Sequence, residues 1–281
     1  MVKQVTINLY EKCYHKLCSN GLKNNFEFSE LQELLKQFNI KESTMNTYYK
    51  SLIYFNKKHN NILTDKCLND IQNDMKRINQ KVFLKASKGQ LNESQKNNYL
   101  RWEDIISVYY MIQEQEENLK KVMLLSVFVL FPPRRILDYQ EMIYCKKKPS
   151  IIDENKNYLV LNKNPYFIFN RYKTDKKYKT QIIEINNKEL INLFLLYVAK
   201  YNIQPNTSLF NINYNNFTHT LRNTFYKYTQ KFISVNLLRH AFISYQTRQN
   251  KINLAFDRQM LAHTMAHSTI TNLNYYVDEN I

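Results

Sequence analysis

Four separated segments of this 281-residue chain carry side chains suited to handling a phosphate. Arg135 follows a double proline in FPPRRILDYQEM (131–142), and Lys173 stands in NRYKTDKKYKTQIIEI (170–185). Asn236 and Arg239 share SVNLLRHAFIS (234–244), while His267 and the pair Tyr275 and Tyr276 lie in LAHTMAHSTITNLNYYV (261–277). A guanidinium is a permanently charged planar fork of donors that matches the nonbridging oxygens of a phosphodiester, so Arg135 and Arg239 suit charge that builds up there during attack. A tyrosine phenolate can act as the attacking group and leave a covalent intermediate from which the freed hydroxyl later displaces it, conserving the bond energy. Such chemistry needs no ATP, and the chain has no Gly-x-x-x-x-Gly-Lys loop; it also lacks a carboxylate cluster suited to two-metal cutting. Several positions have competitors: Arg134 beside Arg135, His263 beside His267, and Tyr275 beside Tyr276. Lys176, Lys177 and Lys179 read either as a solvated turn or as contacts to backbone phosphates.

The elements that must position these groups follow from composition and periodicity. Two glycines and five prolines in the whole chain argue against a sandwich, a barrel or glycine-rich phosphate loops, and leave helices with a little sheet: a mainly α, α+β fold. The first ninety residues read as short amphipathic helices. SELQELLKQF (29–38), with Ser29 as N-cap, puts Leu31, Leu34, Leu35 and Phe38 on one face; a second helix over 43–60, capped by Ser43, aligns Met45, Tyr48, Leu52 and Phe55. The polar stretch 85–98 contains one of the glycines and lacks apolar periodicity, which makes it a linker between a helical domain over 1–92 and a second domain over 97–281. The second domain predicts helices near 102–115 and 118–131, ended by Pro132 and Pro133, and a short helix around 136–144. The runs NYLVL (157–161), YFIFNRY (166–172) and TQIIEI (180–185) predict a small three-stranded antiparallel sheet, and helices resume over 188–201, 214–230, 234–249 and about 253–265.

Forty Lys and Arg against 24 Asp and Glu give a net charge of +16, and both halves are basic: 15 against 8 over 1–92, and 25 against 16 over 93–281. A chain basic throughout suits a polyanion gripped along its whole length, since phosphates reward clustered cations through counterion release. An AT-rich genome, whose codons favour Lys, Asn, Ile and Tyr, produces the same composition, so charge by itself does not name the partner. The longest apolar run, VMLLSVFVLF (122–131), has the length of a core helix and not of a membrane span. The N-terminal residues lack the apolar region of a signal peptide, and Cys13, Cys18, Cys67 and Cys145 fit neither a disulfide framework nor zinc spacing. They read as packing residues in a reducing, intracellular setting.

The chain resembles the tyrosine recombinases, the phage-integrase type of DNA breaking and rejoining enzyme. The family's first arginine, in an Arg-Ile-x-Glu or Arg-Ile-x-Asp context, is matched by Arg135-Ile136-Leu137-Asp138, and its His-x-x-Arg-His-x-Phe pattern by Arg239-His240-Ala241-Phe242. Its Gly-His-Ser, with a tyrosine nine residues after the histidine, is matched by Ala266-His267-Ser268 and Tyr276, and Lys173-Thr174 fits the hairpin lysine between the two arginines. The likeness spans about 97–281 well, and the N-terminal helices loosely as a core-binding domain. One departure stands out: Asn236 occupies the place of the family's histidine three residues before the second arginine, and an amide donates and accepts hydrogen bonds but cannot shuttle a proton. His240, one residue beyond Arg239, is expected to point elsewhere on the helix.

The resemblance implies a site-specific integrase or recombinase that works through a 3′-phosphotyrosine intermediate, with no metal or other cofactor. Its partner would be double-stranded DNA, bound by a homotetramer, to integrate or excise a mobile element or viral genome. The catalytic set would be Arg135, Lys173, Asn236, Arg239, His267 and Tyr276, with Tyr275 as the alternative nucleophile. Lys173 would protonate the departing 5′ oxygen, His267 would contact the scissile phosphate, and Asp138 would support the fold of the site. The setting would be intracellular and with DNA, in host cytoplasm or nucleus, with no membrane partner. Two other readings share the motifs: a type IB topoisomerase, and a noncatalytic DNA-binding module derived from a recombinase.

Overall fold

The computed structural model describes residues 4–59, 62–87, 91–249, 255–266 and 275. The chain divides into two compact units, 1–86 and 87–281. In the first, α1 (Gln4–Ser19), α2 (Phe28–Gln37), α3 (Glu42–His59) and α4 (Asp65–Ser87) bury Leu17, Leu31, Leu35, Tyr49, Leu52, Cys67, Ile71 and Ile78 in one core. Its buried polar contact is Tyr49 to Asp74 at 3.0 Å, with Arg77 Nε donating to the same carboxylate at 2.7 Å. The helices start one residue before the predicted ones. Glu27 is the N-cap of α2 and gives no side-chain bond, so Ser29 lies inside the first turn; Ser43 likewise falls within α3. Cys18 is exposed, whereas Cys13, Cys67 and Cys145 are buried, so the packing role expected of all four holds for three.

The second unit opens with α5 (Glu93–Asn98), which lies within the stretch expected to be a linker. Asn92 and Gln95 form a reciprocal capping box that satisfies the first-turn N–H groups, which explains a helix with no buried residue and no apolar period. Next come α6 (Trp102–Gln115) and α7 (Leu119–Val129), the latter buried at nine of its eleven positions. A helix apolar on every side must sit at the centre, and α6 and the later helices pack around it. Each fully buried Leu or Phe there contributes about 1.5–3 kcal/mol. Pro132 and Pro133 stop α7, and α8 (Ile136–Tyr139) follows as a single turn.

The region expected to be one helix over 136–144 is α8 followed by a strand, β1 (Ile143–Cys145). It pairs in parallel with β2 (Tyr158–Val160), which is antiparallel to β3 (Tyr166–Phe169), itself antiparallel to β4 (Gln181–Glu184). The sheet therefore has four strands and is mixed, where three antiparallel ones are predicted; the added strand is a run of three residues, too short for its period to register. Alternation divides the sheet's two faces. Leu159 and Phe167, a cross-strand pair, join the main core with Phe169, while Tyr158, Val160, Ile168 and Cys145 form a smaller cluster on the other side. Between β3 and β4 lies α9 (Asp175–Tyr178), and α10 (Lys188–Lys200), α11 (Tyr214–Thr229), α12 (Val235–Arg248) and α13 (Ala255–Thr264) complete the unit. Of the eight non-glycine residues with positive φ among those described, five are asparagines. In a glycine-poor chain, asparagine takes the left-handed turn positions at the least steric cost.

Candidate active site

The end of α13 is where the separated segments meet. The last carbonyls of a helix lack the next turn's N–H groups, and here the four consecutive carbonyls at and just beyond the end of α13, 263–266, are each taken by a side chain from elsewhere. Gln181 Nε2 donates to His263 O at 2.9 Å, Arg134 Nη1 to Thr264 O at 2.5 Å, Arg239 Nη2 to Met265 O at 3.3 Å, and Arg135 Nη1 to Ala266 O at 2.7 Å. Thr174 Oγ1, on the segment after β3, also donates to Ala266 O at 3.1 Å. Three guanidiniums at the negative end of a helix also suit its dipole. Ala266 itself has φ +56°, so the chain turns sharply there, immediately before His267.

Each contributor is held by its own element. The β3–β4 register sets Phe169 opposite Gln181, and both contact Arg134: its guanidinium carbon lies 3.8 Å from the Phe169 ring centroid, and Gln181 Oε1 accepts from Nη1 at 2.9 Å. Arg134 Nε donates to Asp138 Oδ2 at 2.8 Å, an ion pair with no solvent exposure on either side. Asn157 fixes the strand exits: its amide donates to Asp138 O at 2.8 Å and accepts from the backbone N–H groups of Asn170 and Arg171 at 2.9 Å each. That bolt ties the turn of α8 to the segment carrying Lys173.

On the other side, Ser234 caps α12 by accepting from the Leu237 N–H. Asn236, Arg239 and His240 are three and four residues apart, so they share a face of this helix, and all three meet Tyr275. Arg239 stacks under the Tyr275 ring at 4.9 Å, His240 Nδ1 bonds the Tyr275 carbonyl at 2.9 Å, and the Tyr275 hydroxyl lies at a long 3.5 Å from Asn236 Oδ1. Because a carbonyl only accepts, Nδ1 is the protonated nitrogen of His240. The expectation that His240 points away is corrected: it is the residue four on from Asn236, and so a neighbour on the same face.

Electrostatics join the two sides. Arg239 is fully buried, and its Nε and Nη1 find no partner among the described residues. Burial pushes its guanidinium down to about 10, the Tyr275 phenol pulls the other way, and Arg135 adds to the depression. Lys173 is exposed, yet partial desolvation and then the charges of Arg135 and Arg239 push its ammonium below the ordinary lysine value. Burial pushes Asp138 up, against the pull of Arg134, Arg135 and Arg239. Burial also pushes His240 down to about 4, so its imidazole is neutral at physiological pH.

The structure thus brings together Arg135, Lys173, Asn236, Arg239 and Tyr275. His267 and Tyr276 lie outside the described residues. Lys176 and Lys177 on α9, and Lys179 just beyond it, are exposed. Arg134 differs from its neighbour: it is enclosed and engaged by a carboxylate, an amide and a carbonyl, whereas Arg135 is half-buried and donates to Ala266 O. Sequence reasoning does not find Gln181 or the role of His240. The i, i+4 spacing from Asn236 was the available signal for the second; nothing marks the first.

No protein-family model matches the chain, and no curated protein does. Among solved structures it is similar to the crystal structure of XerA recombinase, at 12% sequence identity and a TM-score of 0.47, over 99% of this chain and 89% of that one. A likeness this distant decides nothing about chemistry, which has to follow from the chain's own side chains.

Proposed function

We propose that the chain is a tyrosine-class DNA strand transferase, a site-specific recombinase or integrase that cleaves and rejoins duplex DNA through a 3′-phosphotyrosine intermediate. The observation that carries this reading is Arg239: a fully buried guanidinium whose Nε and Nη1 have no partner among the described residues, set under a tyrosine ring and in electrostatic reach of Arg135 and Lys173. A buried cation with spare donors is a ready receptor for an anion, and a phosphodiester is the anion whose attack by a phenol these groups would assist.

In this scheme Arg135 and Arg239 hold the nonbridging oxygens; the tyrosine gives its proton to water as its oxygen bonds the phosphorus, and the bond to the 5′ oxygen breaks, that oxygen taking a proton from Lys173 and leaving as a hydroxyl. The depressed pKa of Lys173 suits that duty, because an ammonium nearer neutrality is a stronger acid. Asn236 offers a hydrogen bond and no proton path; His267 would contact the scissile phosphate. Religation reverses the displacement, so neither ATP nor a metal ion is needed. Tyr276 has the family's interval from His267 and is our choice of nucleophile; Tyr275, whose hydroxyl stands beside Asn236, is the alternative. The basic N-terminal helices and the lysines of the α9 turn would contact backbone phosphates, and a tetramer would act on two duplexes.

A duplex nicked beside the cut site traps the covalent adduct. Wild type is expected to form it, and Tyr276→Phe to abolish it while leaving DNA binding within about threefold. Loss in Tyr275→Phe alone transfers the role to Tyr275, and no adduct with wild type removes the enzyme reading. Asn236 is the one residue that favours a noncatalytic DNA-binding protein, which that last outcome would support. Site-independent relaxation of supercoiled plasmid, without joined products from two duplexes, would instead mark a type IB topoisomerase.

A further inference from the structure

Arg134 is the largest buried polar group that the reaction scheme above does not use. Its guanidinium is sandwiched against Phe169, paired with Asp138, and bonded to Gln181 and to the Thr264 carbonyl. Gln181 in turn donates to the carbonyl of His263, so Arg134 and Gln181 together clamp two consecutive carbonyls at the end of α13. The next two carbonyls go to Arg239 and Arg135. The same few residues therefore fix the backbone that leads into His267 and set the distance between that backbone and both phosphate-binding arginines.

We infer that Arg134 is a positioning residue: it acts through the 263–266 backbone to hold the segment carrying the histidine and the tyrosine pair in register with Arg135 and Arg239. It does not touch DNA. Only a planar, multidentate cation can reach Asp138, Gln181 and Thr264 at once; a lysine in its place keeps the charge and loses the fork. The inference rests on the strand-transferase reading for its kinetic consequence, but its structural consequence is independent of any activity.

Arg134→Lys tests it in the full chain. Amide hydrogen exchange at residues 263–266 is expected to quicken about tenfold or more, with the rest of the second unit unchanged. Single-turnover adduct formation at saturating nicked DNA, measured well below the melting temperature, should fall about tenfold or more while the Kd for that DNA stays within about twofold. Gln181→Met, which removes the bond to His263 and one acceptor of Arg134 but leaves Arg134 its bonds to Asp138 and Thr264, should give the same pattern at smaller size and covers the case in which Arg134→Lys does not fold. Unchanged exchange at 263–266 in the variants that fold overturns the inference. So does a loss of cleavage accompanied by weaker DNA binding and unchanged exchange, which would put Arg134 on the DNA. If wild type forms no adduct, the functional reading fails, while the exchange measurement still decides whether Arg134 orders the segment.

Discussion

Two arginines at the end of α13 are equally buried and oppositely satisfied. On the sheet side, Arg134 has a carboxylate, an amide, a carbonyl and an aromatic face, and only Nη2 lacks a partner among the described residues. On the α12 side, Arg239 has one long bond to Met265 O and the Tyr275 ring, and leaves Nε and Nη1 unpartnered among the described residues. Taking a cation out of water costs several kcal/mol unless a partner compensates, so the fold supports the first arginine and is burdened by the second. A burden of that kind is retained where a ligand anion supplies the missing partner. On the proposed function, the contrast separates a structural cation, Arg134, from a binding one, Arg239, without reference to motif position.

Neutral substitution breaks or sharpens that contrast most directly. Arg134→Met strands Asp138 in the core without its ion pair and is expected to lose about 3–5 kcal/mol of unfolding free energy. Arg239→Met, similar in volume, removes a poorly compensated charge and should be neutral or gain about 1 kcal/mol, while cutting adduct formation by about two decades or more. Urea unfolding at neutral pH, alongside the nicked-DNA assay, reads both. Equal losses of stability in the two variants would erase the distinction.

The next effect belongs to the α12 side alone and depends on pH. His240 is held down to about 4, by burial first and by Arg239 besides, with the bond to the Tyr275 carbonyl opposing. An unfolded chain, with histidine near its ordinary value of about 6.5, binds a proton first as the solution is acidified. The stabilisation from keeping His240 neutral is therefore fully present above about pH 6.5 and falls away as pH drops toward 4, on the order of 3 kcal/mol in all. His240→Asn, which keeps a donor for the Tyr275 carbonyl without titrating, should flatten that part of the stability profile. An unchanged acid limb would show that His240 is solvated.

How much of this was legible in the sequence follows the same division. α6 and α12 were readable as helical patterns over 102–115 and 234–249, and Arg135, Lys173, Arg239 and the tyrosine pair were nameable because their side chains are the chemistry. The sheet-side clamp was not, because its acceptors are backbone carbonyls of 263–266, and a carbonyl is the same whatever residue carries it. Nor does any local pattern relate Gln181 to Arg134; the β3–β4 register, a tertiary fact, sets Phe169 and Gln181 on it. β1 was missed because three residues leave no period to read, and α5 because a polar helix held by an Asn92 to Gln95 capping box has no apolar face.

The smallest effect probes the turn on which both arginine sides converge. Ala266 is buried and has φ +56°, a conformation that costs an L-residue about 1–2 kcal/mol and a glycine nothing. At an ordinary buried position Ala→Gly would lose about 0.8 kcal/mol for the methyl and a further 0.5–1 kcal/mol for backbone entropy. Here the relief of strain offsets those losses, so Ala266→Gly should lie within about 0.5 kcal/mol of wild type. Ala266→Val, branched at Cβ, should lose 2 kcal/mol or more, about the strain plus overpacking. The pair is read by urea unfolding with Arg135 and Thr174 intact. A full-sized loss in Ala266→Gly would mean that the turn is not held in the left-handed region, and that the Ala266 carbonyl is free to leave Arg135 when a phosphate arrives.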